Sequence, residues 1–194
     1  MNSENDLKNS DQQVSITLSE VEKRSLLAIA RDSIASKLEE DENRSPVKSG
    51  ELQAPGGAFV TLHEEGKLRG CIGTLSGPVP LHETIFELAR SAAFRDPRFP
   101  SLSSSELERI EIEISVLSPM HRMVSEKEIE IGQHGLYIIK GSHSGVLLPQ
   151  VAVEQGWDRR TFLTHCCYKA GLDGQAWKDR DVDLFLFTAL IFSE

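Results

Sequence analysis

Ala58-Phe59-Val60-Thr61-Leu62-His63 and Lys67-Leu68-Arg69-Gly70-Cys71-Ile72-Gly73-Thr74-Leu75 are two runs of β-forming residues separated by Glu64-Glu65-Gly66. Their spacing predicts a hairpin whose second arm presents Cys71 near its middle. Side chains alternate across a strand, so Arg69 and Cys71 are expected on one face and Leu68 and Ile72 on the other. A guanidinium two strand rises away, roughly 7 Å, favours thiolate over thiol. Gly70 and Gly73 are expected to leave the backbone open to a ligand. Cys71 is therefore a candidate catalytic thiol, and Arg69, Gly70 and Gly73 are candidate binding residues. The plainer reading, a small half-buried strand cysteine, stands beside it.

Other elements arrange themselves around this hairpin. Residues 1–16 are polar and aperiodic, and are expected to be a flexible tail preceding one domain over 17–194. Ser19 and Glu22 have capping-box spacing, and Leu27, Ala30, Ile34 and Leu38 fall on one helical stripe. Residues 39–57, charged and then Pro/Gly-containing, are expected to form a long loop. Leu81, Ile85, Leu88 and Ala92 mark an amphipathic helix after Pro80. Ser103 and Glu106 cap a short helix, and Ile110, Ile112, Ile114 and Val116 alternate as a strand with one buried face. A strand pair is expected between Leu136 and Leu148 around a Gly141–Gly145 turn. A helix capped by Asp158 runs to Ala170, and Val182 to Phe192 alternate as a long last strand. Interleaved helices and strands with a hairpin give an α+β fold, a mainly antiparallel sheet flanked by helices.

With 194 residues, 39% hydrophobic and 26% charged, the chain has the composition of a globular domain. A formal net charge of −9 opposes a nonspecific grip on nucleic-acid phosphates. No run approaches the length of a membrane span and the N-terminus does not resemble a signal peptide, so the expected location is cytoplasmic. Cys71, Cys166 and Cys167 are a poor disulfide framework, two of them being adjacent. The histidines are scattered, no Cys-x-x-Cys or His-Glu-x-x-His occurs, and neither a metal nor another cofactor is expected.

A second constellation is His165-Cys166-Cys167-Tyr168-Lys169. On a helix His165 and Lys169 share a face. His165 is a candidate general base for Cys71 if the fold brings them together, and Lys169 a candidate binding residue. Cys166 and Cys167 are expected to be packing residues. Asp96-Pro97-Arg98-Phe99 reads as a rigid exit turn with a local ion pair, and Arg98 is a candidate for lining the same cleft. The acidic run Glu106, Glu108, Glu111 and Glu113 is expected to be solvated, because strand alternation turns it outward.

Taken in order, several of these motifs carry a resemblance. Leu68 to Gly73, Pro80-Leu81, Ala92-Ala93-Phe94, Asp96 to Phe99, Ile114 to Ser118, His134-Gly135-Leu136, Val146 to Ala152, Trp157 and Lys169 to Leu172 resemble the signature of the AMMECR domain family. Its prokaryotic members are called protein A of the AmmeMemoRadiSam system. The resemblance spans roughly residues 20 to 192, and Cys167 and Lys169 align with a His-x-Cys-x-Lys-Ala-Gly pattern. It implies an α+β domain with a large and a small lobe, and association with a Memo-like protein and a radical S-adenosylmethionine protein. Two expectations follow. One is a thiol-bearing component, with Cys71 acting on a small anionic or polar ligand. The other is a non-catalytic binding or scaffold module that uses the Arg69–Gly73 strand for partner recognition.

Overall fold

The computed structural model of the protein describes residues 16–41, 44–45 and 54–194; the expected tail over 1–16 and loop over 39–57 fall largely outside these. Helix α1 (Glu20–Leu38) starts at Ser19, whose side chain and Glu22 form the complete reciprocal capping box, and it buries Leu26, Ala30 and Ile34. Strands β1 (Gly57–Glu64) and β2 (Lys67–Thr74) form the expected hairpin. Glu65 and Gly66 take the turn with φ of 52° and 72°, the doubly positive geometry whose twist matches that of the flanking strands.

Helix α2 (Leu81–Phe94) packs on β1 and β2, and the single-turn α3 (Ser104–Leu107) leads into β3 (Ile110–Leu117). A two-residue β4 (His121–Arg122) continues β3 past Pro119. Strands β5 (His134–Lys140) and β6 (His143–Leu147) form a second hairpin, turning at 141–142 rather than over the whole Gly141–Gly145 run. Helices α4 (Pro149–Glu154) and α5 (Arg159–Lys169) follow, and β7 (Asp183–Ser193) closes the fold.

All pairings are antiparallel, in the order β2-β1-β3-β7-β5-β6 with β4 beside β7. The sheet is curled and the class is α+β, as expected. Two hydrophobic cores divide it into a large and a small lobe. The larger is built by α1, α2, β1 and β3, with Phe192 of β7 packed against it. The smaller is built by Leu136 and Ile138 of β5, Leu184 and Leu186 of β7, and Phe162, Leu163, Cys166 and Cys167 of α5. Strand β7 is common to both: residues 183–188 pair with β5 and residues 189–193 with β3. Because its even-numbered residues meet both cores, α1 and α2 of the large lobe and α5 of the small one cover the same side of the sheet. The opposite side carries Phe59, Thr61 and His63 of β1 and Glu111, Glu113 and Ser115 of β3.

Candidate functional site

Strand β2 is an edge strand, and an edge leaves main-chain donors and acceptors unpaired. At Cys71 the Asp96–Arg98 turn supplies the missing partners. The Cys71 amide donates to Asp96 Oδ2 at 2.9 Å, and its carbonyl accepts from Arg98 Nη2 at 3.1 Å. Arg98 grips the same carboxylate through Nε at 2.9 Å, Nη2 at 2.7 Å and its own amide at 3.1 Å. Asp96 is 4% exposed. The Arg98 guanidinium, helped by the two amides, holds its carboxyl well below the usual carboxylate range despite burial. The expected exit turn is thus a clamp on the thiol residue's backbone, and Arg98 reaches the site through main chain.

The Cys71 side chain leaves the clamp on the side of the sheet opposite α1 and α2. It stands opposite Thr61, whose hydroxyl donates to Sγ at 3.4 Å. Thr61 is in turn opposite Glu113, so Cys71, Thr61 and Glu113 form one row across three strands. The next row is Gly73, Phe59 and Ser115, and His63 faces Glu111. Along β3 this side changes from exposed at Glu111, through half-buried at Glu113, to buried at Ser115. Glu113 therefore departs from the solvated face expected of it. Burial pushes its carboxyl up, repulsion from Glu154 on α4 and from Glu111 adds to this, and His63 works the other way. Nothing in the local sequence reported that a helix from the other lobe would come near this position.

Arg69 does not join Cys71. A register shift between Leu62 and His63 leaves Arg69 as the extra, bulged residue of β2, which breaks strict alternation. Its guanidinium Nε meets Glu106 Oε1 of α3 at 2.7 Å while the residue is 8% exposed. Glu106 Oε2 takes the Ser103 amide and hydroxyl at 2.8 and 2.7 Å, so one carboxylate caps α3 and neutralises Arg69. Arg69 and these Ser103 donors draw the Glu106 carboxyl down to about 2. The glycines also depart from expectation. A Cβ on Gly70 would sit 2.2 Å from the Ala92 carbonyl of α2, and one on Gly73 would strike the Phe59 ring at 2.1 Å. Both backbones are covered by protein, not opened to a ligand. A depression of about 420 Å³ beside the β1–β2 turn is lined by Glu64, Glu65, Lys67, Leu68, Arg69 and Arg109.

The expected Cys71–His165 dyad is not assembled. His165 lies on α5, in the helical layer over β5 and β6 at the far end of the strand order, whereas Cys71 projects from the other side of β2. The His165 ring is stacked on Trp157 at 3.9 Å and 9°, with Tyr168 edge-on at 5.7 Å. Lys169 closes α5 in an exposed position, away from Cys71. Cys166 and Cys167 are fully buried in the small-lobe core, and burial pushes both thiols up. Cys71 is the half-exposed thiol of the three.

Among the described residues no helix is long and apolar enough to cross a membrane. Comparison with known proteins identifies the setting of these residues. The AMMECR1 family profile matches residues 27–192. The chain is 39% identical to an Aeropyrum pernix protein over 186 residues, covering 91% of this chain and 80% of that one. It is 42% identical to a Methanopyrus kandleri protein over 181 residues, covering 87% and 86%. The crystal structure of an uncharacterized Pyrococcus horikoshii protein superposes with a TM-score of 0.82 at 39% identity, over 87% of this chain and 89% of that one.

Proposed function

The chain belongs to the AMMECR1 family, and from that footing we propose that it is the thiol-bearing component of a small-molecule or protein-modification pathway. Cys71 is its working thiol, and its partners are a Memo-like protein and a radical S-adenosylmethionine protein of the cytoplasm. The observation that carries this reading is the contrast at Cys71. Its main chain is fixed on both the amide and the carbonyl by an Asp–Arg pair, while the residue remains half-exposed with its Sγ beside the Thr61 hydroxyl. Fixing the backbone and leaving the sulfur accessible is how a reacting group is held in place without being consumed by packing. Brief labelling of the native protein with iodoacetamide, followed by peptide mapping, is expected to modify Cys71 and spare Cys166 and Cys167. Labelling of the two buried thiols first would remove the basis of the proposal.

A second reading is favoured by the fate of the arginines. Arg69 and Arg98 each meet a carboxylate, which suits an edge strand that recognises a partner without turnover. Cys71→Ser separates the two readings in a mixture with the Memo-like and radical S-adenosylmethionine proteins. The thiol reading expects partners retained and product lost. The recognition reading expects the serine variant to behave as the parent does.

A further inference from the structure

We propose that the side of the sheet bearing Cys71 is a binding site for an organic cation, a ligand presenting a protonated amine to Glu113 and Glu154 beside the thiol. The ligand class departs from the anionic one that the sequence suggests. Three observations carry it.

The first is charge. The guanidinium groups expected to draw an anion are neutralised elsewhere, Arg69 by Glu106 and Arg98 by Asp96. What faces the thiol's side is Glu111 and Glu113, opposed by His63, with Glu154 of α4 near enough to repel Glu113. The second is hydrogen-bonding capacity. Ser115, 1% exposed and one row on from Glu113 on the same side of β3, has a buried hydroxyl with no partner among the described residues. Buried polar groups are normally paired. A hydroxyl beside carboxylates is rich in acceptors, and an ammonium with three donors and no acceptor is its complement. The third is geometry. Glu113 lies in the same cross-strand row as Thr61 and Cys71, half-buried between the exposed Glu111 and the buried Ser115. Half-burial of Glu113 strengthens such a pairing relative to open water.

Though the proposal rests on Cys71 being the working thiol, its test separates the two. Cys71 is modified with a cationic thiosulfonate, the 2-aminoethyl reagent in its protonated form, and with its anionic sulfonatoethyl counterpart. In each case the sulfur attacks the sulfenyl sulfur, a disulfide forms and methanesulfinate leaves. Rates are divided by those of a small free thiol to remove intrinsic reactivity. The corrected cationic-to-anionic ratio is expected to be about tenfold or more at low salt, to shrink with added salt, and to fall several-fold in Glu113→Gln. A corrected ratio at or below unity overturns the proposal while leaving an accessible thiol intact. Failure of both reagents to modify Cys71 defeats the thiol reading instead, and thermal shifts then decide the cation site. Millimolar n-butylammonium should raise the melting temperature above that with equimolar butyrate, an advantage lost in Glu113→Gln; equal shifts overturn it. Repeating this with a blocked Gly-Lys-Gly tripeptide tells a small amine from a lysine side chain, since only the true source should saturate.

Discussion

Two carboxylates a few strands apart behave in opposite ways, and single substitutions can read both. Asp96 is stabilised as the anion by Arg98 and two amides. Asp96→Asn keeps the shape but loses the charge-assisted bonds to Arg98 and weakens the one to the Cys71 amide. It is expected to cost about 2 kcal/mol in urea unfolding, the range for hydrogen bonds to charged groups. Glu113 carries the reverse sign. Its folded carboxyl titrates above its unfolded one, so its stability penalty is absent below the unfolded pKa near ~4 and grows as the pH rises through the folded pKa. Glu113→Gln should therefore raise the urea midpoint at neutral pH and leave it unchanged in acid below that range. A loss of stability at neutral pH would mean that Glu113 already has a favourable partner.

At the level of elements, the Arg69–Glu106 contact ties the edge strand β2 to the turn of α3. Removing the charge leaves a buried guanidinium whose Nη1 and Nη2 are already unpartnered, although glutamine at this position can still accept from the Ser103 amide. Glu106→Gln is expected to cost about 3 kcal/mol, measured by chemical denaturation, whereas the exposed Glu108→Gln should be close to neutral. Elements differ in how plainly the sequence announces them. The Ser19–Glu22 box and the Glu65-Gly66 turn are local devices, and the structure has both where their residue types place them. Helix α4 went unanticipated: six residues beginning at a proline offer too few turns for a periodic signal. The site was legible in part. Strand alternation puts Glu113 and Cys71 outward, but which outward positions the other lobe covers is decided by residues far along the chain. The bulge at Arg69 is invisible to alternation, because one extra residue re-aims a side chain without changing composition.

For the molecule as a whole, the two most strongly depressed carboxyls sit in one lobe. Asp96 and Glu106 both titrate below their usual range and both serve β2. The stability they contribute is fully present above the unfolded carboxyl range near ~4 and is lost as the pH falls toward their folded values. Acid should thus loosen the large lobe first. Hydrogen exchange followed down the pH scale, after correction for the intrinsic rate, is expected to show the Cys71 amide losing protection before the amides of β5. Simultaneous loss would place the acid-labile groups elsewhere.

Strand β7 pairs with β3 in one lobe and β5 in the other, and the exposed run Asp179-Arg180-Asp181 precedes it. Such a strand behaves as a detachable seam. If a protease nicked the chain in that run, the released segment would stay seated, held by ladders on both of its edges, and the cut protein would still melt as one body. Competing it away with excess denaturant would open both cores together, since each has lent part of its wall to the same strip of backbone. A synthetic peptide of residues 182–194 added back to the remainder should restore both lobes or neither.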